Sequence, residues 1–183
     1  MRQCHTKRTA GFTLIEAVIA MSVATILAGI AIPALQDAFE AGRSGAAKSS
    51  LVESWMVSVA HAANTGTEVV LCPGDASGCR KTTDWSHGWI AFADQDGDRT
   101  RSPGETLLKQ AAPPGGRVHL RSTVGRTRMV FQPNGGNAGS NITWTLCDGR
   151  GPEHAITVVV ANTGRLRTGT PSPDAAQACV LPM

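Results

Sequence analysis

The sequence predicts an α+β protein in which one long hydrophobic N-terminal helix precedes an antiparallel, β-rich head. Two observations carry this prediction. An apolar segment covers residues 12–35, and eight short runs rich in apolar and β-branched residues follow residue 64. Clusters of Gly, Pro, Asn and Asp separate those runs, and the 183-residue chain contains 20 glycines. Short runs with frequent turns indicate a sheet or a small sandwich rather than a helical bundle.

The N-terminal segment has the composition of a membrane-spanning helix. The first eleven residues contain Arg2, Lys7 and Arg8 but no acid, and residues 12–35 carry one charge, Glu16. A helix of this length can cross a hydrocarbon core of about 30 Å, and the basic flank is expected to stay in the cytoplasm. A secretory signal peptide is the alternative, but its apolar region is usually shorter and would not tolerate a carboxylate near its start.

Residues 36–64 are expected to continue the helix after an interruption at Gly29 and Pro33, because proline lacks the backbone donor that a helix interior needs. Apolar side chains recur in this part at helical spacing and are expected to pack on the sheet. This stripe comprises Leu51, Val52, Trp55, Met56, Val59 and Ala63. The other face carries the small polar residues Ser49, Ser50, Ser54 and Ser58.

The head is expected to contain eight strands joined by short turns. The predicted strands cover 68–72, 88–94, 106–110, 117–122, 126–133, 141–148, 155–162 and 164–168. Neither an internal repeat nor a long linker interrupts them, so they are expected to form one domain.

The hexapeptide "GFTLIE" at the start of the apolar segment resembles the type IV prepilin cleavage motif. The resemblance implies that a prepilin peptidase cuts after Gly11 and that the new N-terminal residue, Phe12, is methylated. It also implies that Glu16 pairs with the terminal amine of a neighbouring subunit during assembly. A carboxylate and an ammonium group that both leave water are stabilised when they meet.

The stretches "GWIAFADQDGD", "MVFQPNGG", "WTLCDGRG" and "VVVANTGRLR" resemble, in this order, the GspH/FimT family of minor pilins and pseudopilins. The resemblance implies a type IV pilin-like fold with a leader peptide at 1–11, a transmembrane and stalk helix at 12–64, and a β-rich head at 65–183. It implies a single-pass inner-membrane protein with its head in the periplasm. Other pilin or pseudopilin subunits are the implied partners.

Five cysteines are present, and removal of the leader would take Cys4 with it. The remaining four allow three pairings. The favoured pairing joins Cys72 to Cys79 around a short loop and Cys147 to Cys179 at the C-terminal tail, as an oxidising compartment would permit. The absence of a CxxC pair makes zinc the weaker interpretation.

Catalytic motifs are absent from the sequence, which contains no nucleophile elbow, phosphate loop or HExxH motif. Neither an enzyme nor a cofactor is therefore expected. Residues 94–105 place oxygen-bearing side chains at the ligand positions of an EF-type calcium loop. Arg99 stands where that loop requires glycine, so a solvated turn is favoured over calcium binding and no metal site is expected.

Charge is distributed unevenly in the head. Residues 99–183 hold ten basic and four acidic residues, which suits contact with a polyanion. In the FimT branch a C-terminal GRxR motif is associated with DNA binding, and Gly164, Arg165 and Arg167 match it. A second copy contains Arg126 and Arg128, which are expected to be secondary contacts. Two solvated strand charges are the alternative interpretation of the Arg165/Arg167 pair.

Two functions follow from these resemblances. The first is a minor pilin of a type IV pilus that helps to assemble the filament and binds DNA, without sequence specificity, during natural transformation. The second is a minor pseudopilin of a type II secretion system. The Arg165/Arg167 pair is the sequence feature that distinguishes them.

Overall fold

The computed structural model describes residues 11–137 and 141–181, so Cys4 and the predicted leader before Gly11 lie outside the described residues. The chain divides into two compact units, Met1–Ala38 and Phe39–Met183. The second unit combines the C-terminal half of a long helix with two antiparallel sheets. This arrangement confirms the predicted α+β class.

The described elements are two α-helices, one short 3₁₀ turn at Pro152–His154 and nine strands. The helices are α1, Leu14–Thr65, and α2, Pro173–Val180. The strands are β1, Glu68–Asp75; β2, Gly78–Cys79; β3, Trp89–Asp94; β4, Leu107–Ala111; β5, His119–Ser122; β6, Met129–Phe131; β7, Ile142–Cys147; β8, Ile156–Val160; and β9, Leu166–Gly169.

Helix α1 is continuous through Pro33, so the predicted interruption at Gly29 and Pro33 is wrong. Proline removes one backbone donor and therefore one hydrogen bond, to the carbonyl four residues earlier. The bonds of the flanking turns keep the helix intact across that single loss. In the Met1–Ala38 unit the large apolar side chains of α1 are exposed, including Ile26 at 65% and Ile30 at 69%.

The face of α1 that packs on the sheets is rotated from the predicted apolar stripe. Met56 is 56% exposed and Ala63 is also exposed, whereas Ser54 and Ser58 are fully buried. The buried residues are Glu40, Ser44, Ala47, Leu51, Ser54, Ser58 and Ala62. Leu51, Trp55 and Val59 of the predicted stripe do contact the core, so the stripe was wrong only for its exposed members. Small side chains let the helix approach the sheet closely, and the hydroxyls of Ser54 and Ser58 are satisfied by hydrogen bonds within the helix.

Ser54 makes the polar contact between α1 and the sheet. Its hydroxyl donates to the Ser50 carbonyl at 2.8 Å and accepts from the indole nitrogen of Trp89 at 2.9 Å. Ser58 likewise donates to the Ser54 carbonyl at 2.7 Å. A serine on this face therefore supplies both close packing and an acceptor for a buried tryptophan.

The first sheet contains five strands. Its centre is β1, which pairs with β3 on one side and with β6 on the other, and β4 continues the sheet beyond β3. The two-residue strand β2 folds back on the end of β1, where the Cys72–Cys79 disulfide closes the hairpin. Strand β2 was not predicted, and β6 is shorter than the predicted run of 126–133.

The second sheet contains four strands in the order β5, β7, β8, β9, all antiparallel. Helix α2 packs against β7 and β5, and the Cys147–Cys179 disulfide joins it to the sheet. This helix was not predicted. Its start is nevertheless marked in the sequence, because the Ser172 hydroxyl accepts a hydrogen bond from the Ala175 backbone and Pro173 follows it.

One core lies between α1 and the two sheets. Leu51 from the helix, Trp89 from the first sheet and Trp144 from the second are each exposed by no more than 1%. Trp85 meets Trp144 edge to face, with ring centroids 5.3 Å apart. The two sheets thus share this apolar layer, and a second buried cluster, which contains Val70, Ile90 and Phe92, lies on the other face of the first sheet.

Candidate nucleic-acid interface

Arg165 and Arg167 lie on the hairpin that joins β8 to β9, at the edge of the second sheet. The turn is closed by the Gly164 N–H, which donates to the Ala161 carbonyl at 2.9 Å. Gly164 has a φ of +78°, and a Cβ at this position would stand 2.8 Å from the Gly135 carbonyl oxygen. Glycine is therefore required here both by the backbone conformation and by the neighbouring loop.

The two arginine side chains are exposed, whereas Leu166 between them packs against the core. Alternation along a strand places the arginines on one face and the leucine on the other. Within 11–137 and 141–181, neither Arg165 nor Arg167 has a hydrogen bond or an ion pair through its side chain. Both guanidinium groups therefore keep all their donors available for a ligand.

A threonine-lined groove adjoins this pair on the outer face of the second sheet. Arg167 pairs in register with Val159, and Val159 lines a cavity of about 640 Å³ under α2. Thr143, Thr145 and Thr157 line the same cavity. This surface was not predicted from the sequence. The period-two spacing of Thr143 and Thr145 on β7 could have indicated that their side chains point away from the core.

Arg126 and Arg128 of the second GRxR copy are held by other parts of the head. The Arg126 guanidinium donates to the Asn141 side chain at 3.3 Å, and the Arg128 guanidinium donates to the Arg99 carbonyl at 2.9 Å. Arg128 directly precedes β6 of the first sheet, whereas Arg165 and Arg167 belong to the second. The two copies thus stand in different surroundings.

The loop at residues 94–105 is organised by its own acids. Asp94 accepts hydrogen bonds from the Gly97 and Arg99 backbones at 3.1 and 3.2 Å. Glu105 accepts from the Gln95 backbone at 3.0 Å and from Ser102 at 2.8 Å. Both carboxylates are buried, so the expectation of a fully solvated turn is wrong for these two residues.

Three carboxylates of this loop, Asp94, Asp96 and Asp98, place oxygen atoms within 4.8 Å of one another. Asp96 and Asp98 are exposed, and each accepts a backbone hydrogen bond within the loop. Burial raises the pKa of Asp94 above its ordinary value, against the opposing effect of the backbone donors, and the negative charges of Glu105 and Asp96 add to the rise.

A paired acid lies at the end of the second sheet. Asp148 is 2% exposed and accepts hydrogen bonds from Arg150 at 2.9 and 2.8 Å. Burial alone would raise the pKa of Asp148, but the hydrogen bonds from Arg150 outweigh it and hold that pKa below its usual value. Nearby, Glu40 of α1 accepts from the Gly149 backbone at 3.4 Å. The contact of Glu40 joins α1 to the loop that follows β7 of the second sheet.

The residues predicted to act in processing and assembly lie in the other unit. Gly11 and Phe12 are exposed, and Glu16 stands in the first turn of α1. The Thr13 hydroxyl accepts a hydrogen bond from the Glu16 backbone at 3.3 Å, which caps the helix start. Helix α1 is long and apolar enough to cross a membrane.

A long N-terminal helix followed by antiparallel sheets defines a protein of the type IV pilin-like class. Residues 50–164 match the family described as type II transport protein GspH, and residues 6–32 match the prokaryotic N-terminal methylation motif. The GspH match covers more than half of the chain, and the chain therefore belongs to the GspH family of minor pilins and pseudopilins. These are structural subunits and not enzymes.

Two crystal structures of the type IV minor pilin FimU of Pseudomonas aeruginosa are similar to this chain. One has a TM-score of 0.54 at 11% identity and covers 76% of this chain and 92% of FimU. The other has a TM-score of 0.48 at 14% identity and covers 63% and 83%. The first similarity supports the fold. No curated protein sequence matches the chain.

Proposed function

We propose that this chain is a minor pilin of a type IV pilus and that its head binds DNA through Arg165 and Arg167. The observation that carries the proposal is the exposure of both guanidinium groups on one face of an edge hairpin, with no protein partner among the described residues. Arginine presents a planar array of donors that matches phosphate oxygens. The glycine before the pair fixes the turn that presents it.

The spacing of the pair suits a phosphate backbone. Side chains two residues apart on a strand are about 6.6 Å apart on the same face, and successive phosphates on one DNA strand rise by about 3.4 Å as a lower bound on their separation. Two arginines can therefore engage two phosphates. The five buried aromatic residues Trp85, Trp89, Trp144, Phe92 and Phe131 offer no stacking surface, so binding is expected to be independent of base sequence.

The N-terminal segment supports assembly into a filament. The match to the N-terminal methylation motif supports cleavage after Gly11 and methylation of Phe12. We infer that the Glu16 carboxylate pairs with the Phe12 amine of a neighbouring subunit, since both groups lose hydration in an apolar surrounding. The head at 65–183 would then lie in the periplasm, with prepilin peptidase and other pilin subunits as partners.

The DNA proposal is tested with the full chain in an uncharged maltoside detergent. Fluorescence anisotropy with labelled duplex DNA is measured at several salt concentrations. Replacing both Arg165 and Arg167 with glutamine should remove most of the affinity at low salt, and the slope of log K against log salt should fall by about 2. The matched control replaces Arg117 and Lys109 with glutamine, which removes the same formal charge from two residues that pair with Glu40 and Glu53 of α1.

Equal losses in the two double variants would show that net charge, and not the edge pair, determines affinity. Unchanged DNA binding in the Arg165/Arg167 variant would refute the proposal at these residues. A natural-transformation assay in cells that carry the same variants then connects binding to uptake.

The alternative is a minor pseudopilin of a type II secretion system, which the description of the matched GspH family favours. A chain with this role would meet exported proteins rather than DNA. Deletion of its gene should then reduce secretion of exported proteins and leave transformation unchanged. The opposite result supports the pilus.

A further inference from the structure

A small basic cavity lies on the first-sheet side of the head, apart from the Arg165/Arg167 hairpin. Its volume is about 280 Å³, below the range of about 300–1,000 Å³ that is typical of sites for drug-sized ligands. Four cations and two hydroxyls line it, and we call this set the basic pocket. Its members are Arg80, Lys81, Arg99, Thr100, Thr127 and Arg128.

Cations exceed acids around the basic pocket. Arg80 pairs with Asp75 at 3.1 Å, and Arg99 lies 3.9 Å from Glu68. The remaining two cations of the pocket have no carboxylate partner within the described ranges. Asp94 and Asp98 also lie close to Arg99, but neither lines the pocket, whose lining contains four cations and no carboxylate. An anion is therefore the ligand class that this surface favours.

The backbone at Arg99 is the strongest sign that the pocket is built for a ligand. Arg99 has a φ of +61° and is the one non-glycine residue with a positive φ in the described part of the chain. L-residues other than Asn and Asp rarely adopt this conformation, whereas glycine adopts it freely. Strained residues of this kind cluster at functional sites. Arg99 itself lines the cavity.

Arg99 is held in that conformation from two sides. Its N–H donates to the Asp94 carboxylate at 3.2 Å, and its carbonyl accepts from the Arg128 guanidinium at 2.9 Å. Arg128 is thus fixed by the same contact that fixes Arg99. The Arg99 backbone and the Arg128 guanidinium are thus arranged before any ligand arrives, which lowers the entropic cost of binding.

Two further contacts fix the opposite wall. The Cys72–Cys79 disulfide ends immediately before Arg80. The Arg101 guanidinium donates to the Ala76 carbonyl at 2.6 Å and so joins the loop of Arg99 to the β1–β2 turn.

We propose that the basic pocket binds one phosphate group. Several guanidinium and ammonium donors on one small cavity match a tetrahedral oxyanion with several acceptor oxygens. Inorganic phosphate and a phosphodiester of DNA share this chemistry. The site has no residue in common with the Arg165/Arg167 pair, so its existence does not depend on the proposed DNA contact.

The test titrates the full chain, in the same maltoside detergent, with inorganic phosphate at constant ionic strength set by chloride. Calorimetry should give saturable binding with a Kd of about 1 mM or tighter. The decisive variant is Arg99→Gly, which removes the cation but suits the positive φ. Its phosphate affinity should fall by about tenfold or more, while its thermal unfolding midpoint stays level or rises.

The Arg117→Gln variant is the matched control, because it removes one cation that does not line the pocket, and its phosphate affinity should equal that of the parent. Absence of saturable phosphate binding in the parent, or equal affinity in Arg99→Gly, overturns the proposal. A fall in the unfolding midpoint of Arg99→Gly would indicate a structural role for Arg99, and Arg128→Gln then provides the second measure of phosphate affinity. An unchanged affinity in both variants refutes the site.

A DNA arm identifies the source of the phosphate. If the phosphodiester is the ligand, Arg99→Gly should weaken duplex binding as well as phosphate binding. If free phosphate is the ligand, duplex binding should stay at the parental value. Loss of DNA binding only in the Arg165/Arg167 variant supports the DNA proposal alone, so the two proposals can fail separately.

Discussion

The head contains the pattern Gly-Arg-x-Arg twice, at 125–128 and at 164–167, and the structure treats the two copies differently. In the second copy Leu166 packs on the core and both arginines are exposed without a partner among the described residues. In the first copy Thr127 lines the basic pocket and both arginines donate hydrogen bonds to other segments. Two copies of one motif, which differ only in the middle residue, thus give one open pair and one engaged pair.

The difference shows that a short basic motif does not by itself predict a binding site. Whether it lies on a strand or in a loop must also be known. On a strand edge, alternation separates the two arginines from an apolar residue that anchors them. In the loop before β6 no such alternation exists, and each arginine instead contacts the nearest acceptor. The middle residue of the motif therefore predicts its role better than the arginines do.

The largest expected difference between the copies concerns their glycines. Gly164→Ala should lower the free energy of unfolding by about 2–3 kcal/mol, because its φ is positive and the added Cβ would meet the Gly135 carbonyl. Gly125 also has a positive φ but stands in open space, so Gly125→Ala should cost about 1 kcal/mol. Urea unfolding of the full chain, followed by tryptophan fluorescence, measures both. Equal losses would show that the contact with Gly135 is unimportant.

The middle residues should differ by a smaller amount. Leu166→Ala removes a half-buried side chain that packs on the core and should cost about 1.5 kcal/mol. Thr127→Ala removes a partly exposed hydroxyl and should change stability by less than about 0.5 kcal/mol. The same urea experiment compares them. A small effect of Leu166→Ala would mean that the hairpin is not anchored through this residue.

The smallest expected difference is in the arginines themselves. Replacing Arg126 and Arg128 with glutamine should lower the free energy of unfolding by about 1 kcal/mol, because two exposed hydrogen bonds are lost. Replacing Arg165 and Arg167 should change it by less than about 0.5 kcal/mol. If the second pair proves equally important for stability, its role is structural and the DNA proposal loses its basis.

Much of the fold could be predicted because local patterns dominate it. The apolar run at 12–35 predicted the N-terminal helix, and turn clusters divided the head into strands close to those observed. The two disulfides join the pairs that the sequence analysis favoured. Helix α2 was missed because a helix of eight residues is too short to show a clear helical periodicity, although Ser172 and Pro173 mark its start.

The candidate sites were harder to predict because they depend on contacts between distant segments. The edge pair could be found from its motif and strand alternation. The basic pocket could not, because Arg80, Arg99 and Arg128 come from three separate parts of the chain. The rotation of the buried face of α1 also lay beyond sequence periodicity, since Ser54 is buried as an acceptor for Trp89 and not for its hydrophobicity.

The sequence by itself therefore determined the class of protein, the membrane-compatible helix and the family, because each depends on residues that are close along the chain. Only the tertiary structure decided which arginines are open and which are engaged. That outcome depends on long-range neighbours: Gly135 beside Gly164, Asn141 beside Arg126, and Arg99 beside Arg128. Charge and motif specify what an arginine can bind, but the folded surroundings determine whether its donors are still available.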